Sequence, residues 1–180
     1  MLQNYLPEIL QEIKGVLDAV DEQEMETLER SVMKERRIFV DGEGRSRYVG
    51  QCFAMRLMHL GFRSYVIGDT NTPAFGEGDL LVSIPGSGKT ETVVLNAGKA
   101  KKKGAEVIGI TTNSVSPLAE LSDSIVRLNA TTRGDVENRK SIQLLGSLFD
   151  QSVHILLDNV CLAVSREEGI SNEQDKKNHV

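Results

Sequence analysis

The sequence predicts an α/β protein built on a parallel β-sheet. Five short apolar segments alternate with stretches long enough for a helix; these candidate strands cover residues 38–40, 65–67, 80–84, 107–111 and 124–128. Strands that are apolar at nearly every position are typical of a sheet covered by helices on both faces. Connections of helix length between them favour parallel strands joined by right-handed crossovers.

Helical periodicity accounts for the segments between these strands. Apolar residues recur every three or four positions from Leu6 to Val20, and Asp21 with Glu24 forms a capping box that begins a second helix. Further helices are expected after the turn at 42–44, then over residues 89–103, 117–122 and about 142–168, with a polar loop over 129–141. We expect one domain over residues 1–180, with helices in 1–35 and a polar tail over 171–180.

The charge balance argues against functions that need a basic surface. Twenty-one basic and 26 acidic residues give a net charge of −5 and a pI of about 5.3. Nucleic acids and anionic membranes both attract basic faces, so neither is an expected partner. The start of the chain does not resemble a signal peptide, and no stretch approaches the ~18 apolar residues of a membrane helix. We therefore expect a cytoplasmic protein.

Two glycine-rich turns follow candidate strands and lead directly into helices. They are Gly-Glu-Gly-Arg-Ser at residues 42–46 and Pro-Gly-Ser-Gly-Lys-Thr at residues 85–90. Ligands of open parallel sheets bind at the carboxyl ends of the strands, where helix N termini suit a phosphate. Hydroxyl groups and positive charge add to this potential at Arg45, Ser46, Ser87, Lys89 and Thr90. The turns predict a phosphate site; the alternative is that they are only tight connections.

Neither turn completes a nucleotide-binding motif. A P-loop ending at Gly88 and Lys89 would need glycine at the position of Ser83. The dinucleotide fingerprint begun by Gly42 and Gly44 has Arg47 at its third glycine position. The cysteines, Cys52 and Cys161, belong to no CxxC or Cys/His cluster, so we expect two reduced thiols.

One acidic residue is a candidate catalytic base. Asp150 follows the apolar stretch 144–149 near the start of the last predicted helix. A half-buried carboxylate is costly unless it is paired or used in chemistry. Helix capping or a salt bridge explains this residue equally well.

Several segments carry a resemblance to a known family. They are Gly-Glu-Gly-Arg-Ser at 42–46, Phe-Ala-Met-Arg-Leu-Met-His-Leu-Gly at 53–61, Gly-Asp-Thr-Asn-Thr-Pro at 68–73, Gly-Ser-Gly-Lys-Thr at 86–90 and Gly-Ser-Leu-Phe at 146–149. Together they resemble the SIS (sugar isomerase) domain family, and most closely its 6-phospho-3-hexuloisomerase branch. The resemblance implies a flavodoxin-like three-layer α-β-α sandwich on a five-stranded parallel sheet. It also implies a homotetramer with active sites near subunit interfaces.

The activity implied by this resemblance is the interconversion of 3-hexulose 6-phosphate and fructose 6-phosphate, without metal or other cofactor. The phosphorylated sugar would be held by Ser46 and by Pro85, Gly86, Ser87, Gly88, Lys89 and Thr90, with Arg45 adding charge. Asp150 stands where the family has a glutamate base, and His179 matches a histidine of the family's C-terminal tail. The family's Ser-Gly-Ser-Gly-Glu-Thr is changed at Pro85 and Lys89.

Two other functions remain open on the sequence. One is a non-catalytic protein that binds a phosphosugar, and the other is an isomerase for a different pair such as arabinose 5-phosphate and ribulose 5-phosphate. The apolar faces of the first two helices and the last helix exceed what one sheet face needs, so we expect a subunit interface there.

Overall fold

A computed structural model of the chain describes residues 3–132 and 141–170. The predicted polar tail at 171–180, including His179, lies outside the described residues. In chain order the elements are α1 (Leu6–Leu17), α2 (Glu22–Met33), β1 (Arg37–Asp41), α3 (Arg45–His59), β2 (Arg63–Val66), β3 (Leu80–Ser83), α4 (Glu91–Lys102), β4 (Glu106–Thr111), α5 (Pro117–Leu121), β5 (Ser124–Arg127) and α6 (Ser147–Glu167).

The strands form one parallel five-stranded sheet in the order β2-β1-β3-β4-β5. This is the strand order of flavodoxin-like folds, in which the direction of winding reverses between β1 and β3. The predicted fold class is therefore confirmed. Along the β1–β3 pair, Ile38 lies opposite Leu80 and Asp41 lies opposite Ser83, so the two strands end side by side at the carboxyl edge.

Helices cover both faces of the sheet because successive strand side chains point to opposite sides. Ile38 and Val40 belong to a large core that includes buried residues of α1, α2, α3 and α6. Phe39, between them, belongs to a smaller core formed with α4 and α5. The result is the three-layer sandwich, with α6 packed against α1, α2 and α3.

The start of the last helix differs from the sequence prediction. The helix was expected from about Ile142, but α6 begins at Ser147. The carboxylate of Glu12 accepts hydrogen bonds from the Ile142 amide (2.9 Å), the Ser141 hydroxyl (2.8 Å) and the Gln143 side chain (3.1 Å). These bonds hold the segment against α1 in a non-helical conformation, and Leu145 then adopts a φ of 50°.

The first helix also ends earlier than expected, at Leu17 instead of Val20. Asp21 caps the second helix as predicted, since its carboxylate accepts from the amides of Gln23 and Glu24. The predicted capping box is not closed by Glu24, whose carboxylate accepts from the Arg127 amide (2.7 Å) instead. Among the described residues, none of the helices is both long and apolar enough to cross a membrane. The cytoplasmic location remains a prediction.

The packing of α3 on β1 can be tested at Gly50. A Cβ atom at this position would lie 2.9 Å from Val40 Cγ1, so Gly50→Ala overpacks the core. Overpacking costs about 1–3 kcal/mol, which exceeds the gain in helix propensity. We expect the free energy of unfolding, measured in urea, to fall. The matched control is Gly15→Ala in α1, where no atom lies within 4 Å of the added Cβ. Gly15→Ala should raise the free energy of unfolding by roughly 0.5–1 kcal/mol. If both variants changed the free energy of unfolding in the same direction, the close packing at Gly50 would be contradicted.

Candidate active site

The two glycine-rich turns lie side by side at the carboxyl edge of the sheet. The first joins β1 to α3 and the second joins β3 to α4, on the two strands between which the order reverses. The Ile84 amide donates to the Asp41 carbonyl (2.8 Å) beyond the last strand pair, which keeps the strands together up to the turns. This edge is where open α/β sheets bind ligands.

Both glycines of the first turn, Gly42 and Gly44, are required by the backbone geometry of the turn. Gly44 has a φ of 60° and a ψ of −129°, a conformation that residues with a Cβ rarely adopt. A Cβ on Gly42 would lie 3.0 Å from the carbonyl carbon and oxygen of Ser46. The turn therefore folds closely onto the beginning of α3, and this delivers Arg45 and Ser46 to the carboxyl edge.

The second turn is fixed by contacts with α5 and with the end of β4. Gly88 has a φ of 69°, and a Cβ there would collide with the Ser116 hydroxyl. The Gly86 carbonyl accepts from the Thr112 amide (3.0 Å) and from the hydroxyls of Thr111 (3.1 Å) and Thr112 (2.9 Å). Sequence reasoning assigned no role to these threonines. Their position at the end of a buried strand, with Thr111 as its last residue and Thr112 next, was the available signal.

The helices that follow the two turns begin with open N termini. Side chains cap α2 and α5, through Asp21 and Ser116. Within the described part of the chain, no side-chain cap bonds to the start of α3 after Gly44 or of α4 after Thr90. The free amides and the positive dipole ends of both helices thus remain available to an anion. Lys89 is exposed beside them.

Asp150 and Ser46 form a direct hydrogen bond across the site. The Ser46 hydroxyl donates to Asp150 Oδ1 at 2.7 Å, and Asp150 is only 6% exposed in the first turn of α6. Burial raises the pKa of Asp150 above its ordinary value, while the Ser46 hydrogen bond and the positive charge of Arg45 act in the opposite direction. The result is a sheltered carboxylate that binds protons more strongly than an exposed aspartate.

Arg45 connects the beginnings of α3 and α6. Its Nε lies 3.9 Å from Asp150 Oδ2, and its Nη1 donates to the Ser147 hydroxyl at 2.9 Å. Arg45 is more than half exposed, so water weakens its attraction for the carboxylate. Ser147 was not singled out from the sequence as a site residue, although it lies in the segment 146–149.

The predicted site residues therefore come together in two groups. Arg45, Ser46 and Asp150 are in direct contact. The turn at 85–90 lies beside them, because Gly86 faces the ring of Phe149, next to Asp150 in the chain; a Cβ on Gly86 would lie 3.2 Å from this ring. In the same turn the Ser87 hydroxyl accepts from the Lys89 amide (3.3 Å). The roles of all these residues remain predictions, as does the role of His179, which lies outside the described residues.

Removing the Ser46 hydroxyl should raise the pKa of Asp150 further. The hydroxyl donates to the ionised carboxylate, so Ser46→Ala removes an interaction that favours the charged form. A ¹³C NMR titration of the Asp150 carboxyl carbon measures the change. Ser165→Ala is the control, because this serine bonds to the Ile170 carbonyl at the far end of α6. A pKa that falls in Ser46→Ala, or that moves equally in both variants, would contradict the assigned hydrogen bond.

Comparison with known proteins places the chain in a family. Residues 31–155 match the family model described as SIS domain. The 3-hexulose-6-phosphate isomerase of Mycobacterium gastri is 41% identical over 88% of this chain and 80% of that protein. The Bacillus subtilis enzyme of the same name is 34% identical over 94% and 92%. A Methanococcus jannaschii crystal structure, from which a 3-hexulose-6-phosphate isomerase function was inferred, has a TM-score of 0.84 and 33% identity, covering 97% of each chain. The chain belongs to the SIS domain family.

Proposed function

We propose that this protein is an isomerase that interconverts 3-hexulose 6-phosphate and fructose 6-phosphate through an enediol intermediate. The observation that carries the proposal is the buried Asp150, hydrogen-bonded to Ser46 beside two turns suited to a phosphate. The names and coverage of the relatives from Mycobacterium gastri and Bacillus subtilis support the same reaction. We further propose that it serves the ribulose monophosphate pathway.

Asp150 acts as the base in this proposal. The reaction moves a carbonyl between C3 and C2 of the sugar, so the proton on the hydroxyl-bearing C2 of 3-hexulose 6-phosphate must leave. Asp150 takes that proton, the electron pair forms the C2–C3 double bond of the enediolate, and the same carboxyl returns the proton to C3. The hydroxyl proton passes between the two oxygens. Because burial raises its pKa, Asp150 is a stronger base than an exposed aspartate.

Ser46 and Arg45 hold the base in its working state. The Ser46 hydroxyl donates to one carboxylate oxygen and the Arg45 guanidinium lies near the other, so both favour the ionised form. The hydrogen bond also restricts the orientation of the carboxylate, which keeps a basic oxygen at a fixed distance from the substrate carbon. Arg45 is itself positioned by Ser147.

In this proposal the phosphate of the substrate is bound away from the reacting carbons and positions the molecule. The open N termini of α3 and α4 offer backbone amides, and Lys89 offers a positive charge that the glutamate of the family pattern does not. Pro85 supplies a carbonyl that accepts from the Gly88 amide (2.8 Å) and so closes the turn. Binding energy from the phosphate can then be used to place the reacting carbons against Asp150.

Deuterium exchange in D2O tests the reaction and the base together. With fructose 6-phosphate, we expect the native protein to incorporate deuterium beside the carbonyl, detected by NMR. Asp150→Asn should slow this exchange by roughly 10²–10⁴-fold, since general bases contribute on that scale. Asp123→Asn is the matched control, because this exposed carboxylate lies directly before β5, at the amino edge of the sheet, and pairs with Lys101 at 2.6 Å.

The other outcomes identify the rival functions. Exchange that persists in Asp150→Asn would remove Asp150 as the base. Saturable binding of fructose 6-phosphate without exchange by the native protein would favour a non-catalytic phosphosugar-binding protein. Exchange seen only with arabinose 5-phosphate or ribulose 5-phosphate would favour the isomerase of that pair.

We also propose that the protein is a homotetramer assembled through α1, α2 and α6. Large apolar side chains are exposed on two of these helices, at Leu6 (63%) and Leu10 (63%) of α1 and at Ile155 (43%) and Leu162 (51%) of α6. A depression between the three helices is lined by apolar side chains such as Met25 and Leu156 together with the carboxylates of Glu22, Glu26 and Glu29. Exposed apolar side chains rimmed by polar ones are typical of a subunit interface.

Charge substitutions test this interface. Ile155→Glu should lower the molecular mass measured by analytical ultracentrifugation, because an isolated charge is costly in an apolar interface. Leu95→Glu is the matched control: this side chain is also exposed (60%) but lies on α4, on the opposite face of the sheet. Loss of assembly only in Leu95→Glu would place the interface on α4.

A further inference from the structure

A second buried carboxylate lies between the two glycine-rich turns, and the proposed mechanism does not use it. Asp41 is the last residue of β1 and is 4% exposed. A carboxylate buried to this extent is costly unless hydrogen bonds compensate. Its partners come from both sides of the site. The Gly42 amide donates to it from the first turn, and Asn96 Nδ2 donates to its Oδ2 at 3.0 Å from α4.

Helix α4 reaches the first turn at two points. Thr92 and Asn96 are separated by one helical turn, so they lie on the same face of α4. The Thr92 hydroxyl donates to Glu43 Oε2, and Asn96 donates to Asp41. The helix that begins at the second turn is therefore bonded to the last residue of β1 and to Glu43 within the first turn.

A continuous series of contacts leads from Asn96 to the proposed base. Asn96 holds the Asp41 carboxylate, which accepts from the Gly42 amide. Gly42 packs so closely on Ser46 that a Cβ would lie 3.0 Å from the Ser46 backbone. Ser46 then donates to Asp150 at 2.7 Å. A displacement of Asn96 relative to β1 thus changes the position of the Ser46 hydroxyl.

We propose that Asn96 and Asp41 are a positioning pair that fixes the distance between the phosphate-binding start of α4 and the Ser46–Asp150 hydrogen bond. This inference rests on the proposed function. The phosphate and the reacting carbons are at different parts of one substrate molecule, so this distance decides how well the carbons meet the base. A misplacement of about 1 Å can cost on the order of 100-fold in rate.

The pair should affect kcat more than KM. The amides at the start of α4 still bind the phosphate when the pair is broken, whereas Asp150 loses its alignment. In Asn96→Asp, the new carboxylate faces Asp41 in a buried setting. We expect kcat at neutral pH to fall at least tenfold and KM to change less than about threefold, as for a group that acts in the transition state.

The same variant should acquire a characteristic pH dependence. At low pH one proton is shared between the two carboxyl groups, which restores a hydrogen bond at this point. At higher pH both groups ionise and repel each other. The kcat of Asn96→Asp should therefore fall as pH rises, in a range where the native protein shows no such decrease. The charged groups acting on Asp41 are Arg47, which lowers its pKa, and Glu43, which raises it; neither is changed.

Swapping the amide and the carboxylate between positions 41 and 96 should restore kcat. In Asn96→Asp combined with Asp41→Asn, the amide at position 41 can accept from the Gly42 amide and donate to the carboxylate at position 96. We expect this double variant to recover most of kcat and to lose the decrease at high pH. Asn4→Asp is the matched control, since it makes the same chemical change at an exposed position before α1.

Two further measurements keep the inference separate from the proposed function. The amide resonances of Gly42 and Ser46 should shift in Asn96→Asp and return in the double variant, whatever the substrate. Thr92→Val, which removes the exposed bond to Glu43, should lower kcat by only about two- to fivefold without loss of folding.

The outcomes are distinct. If the native protein does not exchange deuterium into fructose 6-phosphate while the resonances behave as expected, the proposed function fails and the coupling of Asn96 to Ser46 is supported. If the resonances and kcat of Asn96→Asp match those of the native protein, or if the double variant is no better than the single one, the positioning pair is overturned.

Discussion

The hydrogen bond between Ser46 and Asp150 is the interaction on which the arrangement of the site depends. It joins the first turn of α3 to the first turn of α6, two helices that begin about a hundred residues apart in the chain. Its 2.7 Å length requires that α3 begin directly after Gly44 and that α6 begin at Ser147. The glycine conformation in the first turn and the Glu12 bonds before α6 satisfy these requirements. The conformation of the first turn and the hydrogen bonds of Glu12 therefore determine where the Asp150 carboxylate lies.

Open helix ends leave backbone amides free at the two glycine-rich turns. Asp21 and Ser116 cap α2 and α5, whereas the starts of α3 and α4 do without a described side-chain cap, as do those of α1 and α6. A missing cap costs roughly 0.5–2 kcal/mol, but only about a few tenths where glycine takes the position, as Gly44 does before α3. In the proposed function the phosphate of the substrate accepts hydrogen bonds from the amides that are left free at α3 and α4.

Most of the fold could be predicted from the sequence because it follows from local patterns. Apolar segments such as 80–84 identify buried strands, and their order with the helices restricts the topology to few choices. The start of α6 could not be predicted, since it depends on Glu12, which is 130 residues from Ile142 in the chain. Asp150 was identified as an acid in an apolar stretch. Its bond to Ser46 and the bond of Asp41 to Asn96 require the folded arrangement of separate elements, so no local pattern indicates them.

Glu106 differs from Asp41 and Asp150 both in its position in the sheet and in the direction of its pKa shift. Glu106 begins β4, at the amino edge of the sheet. Burial alone would raise the pKa of Glu106, but hydrogen bonds from Ser31 and Arg36 lower it to about 2. Its ionised form therefore stabilises the fold at neutral pH, and this contribution is lost as pH falls from 4.5 through about 2. Asp41 and Asp150, at the carboxyl edge, have raised pKa values because burial outweighs their partners, so stability falls as pH rises from 3.8 through those values. A fold selected only for stability would avoid these two costs, whereas the proposed mechanism and the proposed positioning pair require both groups.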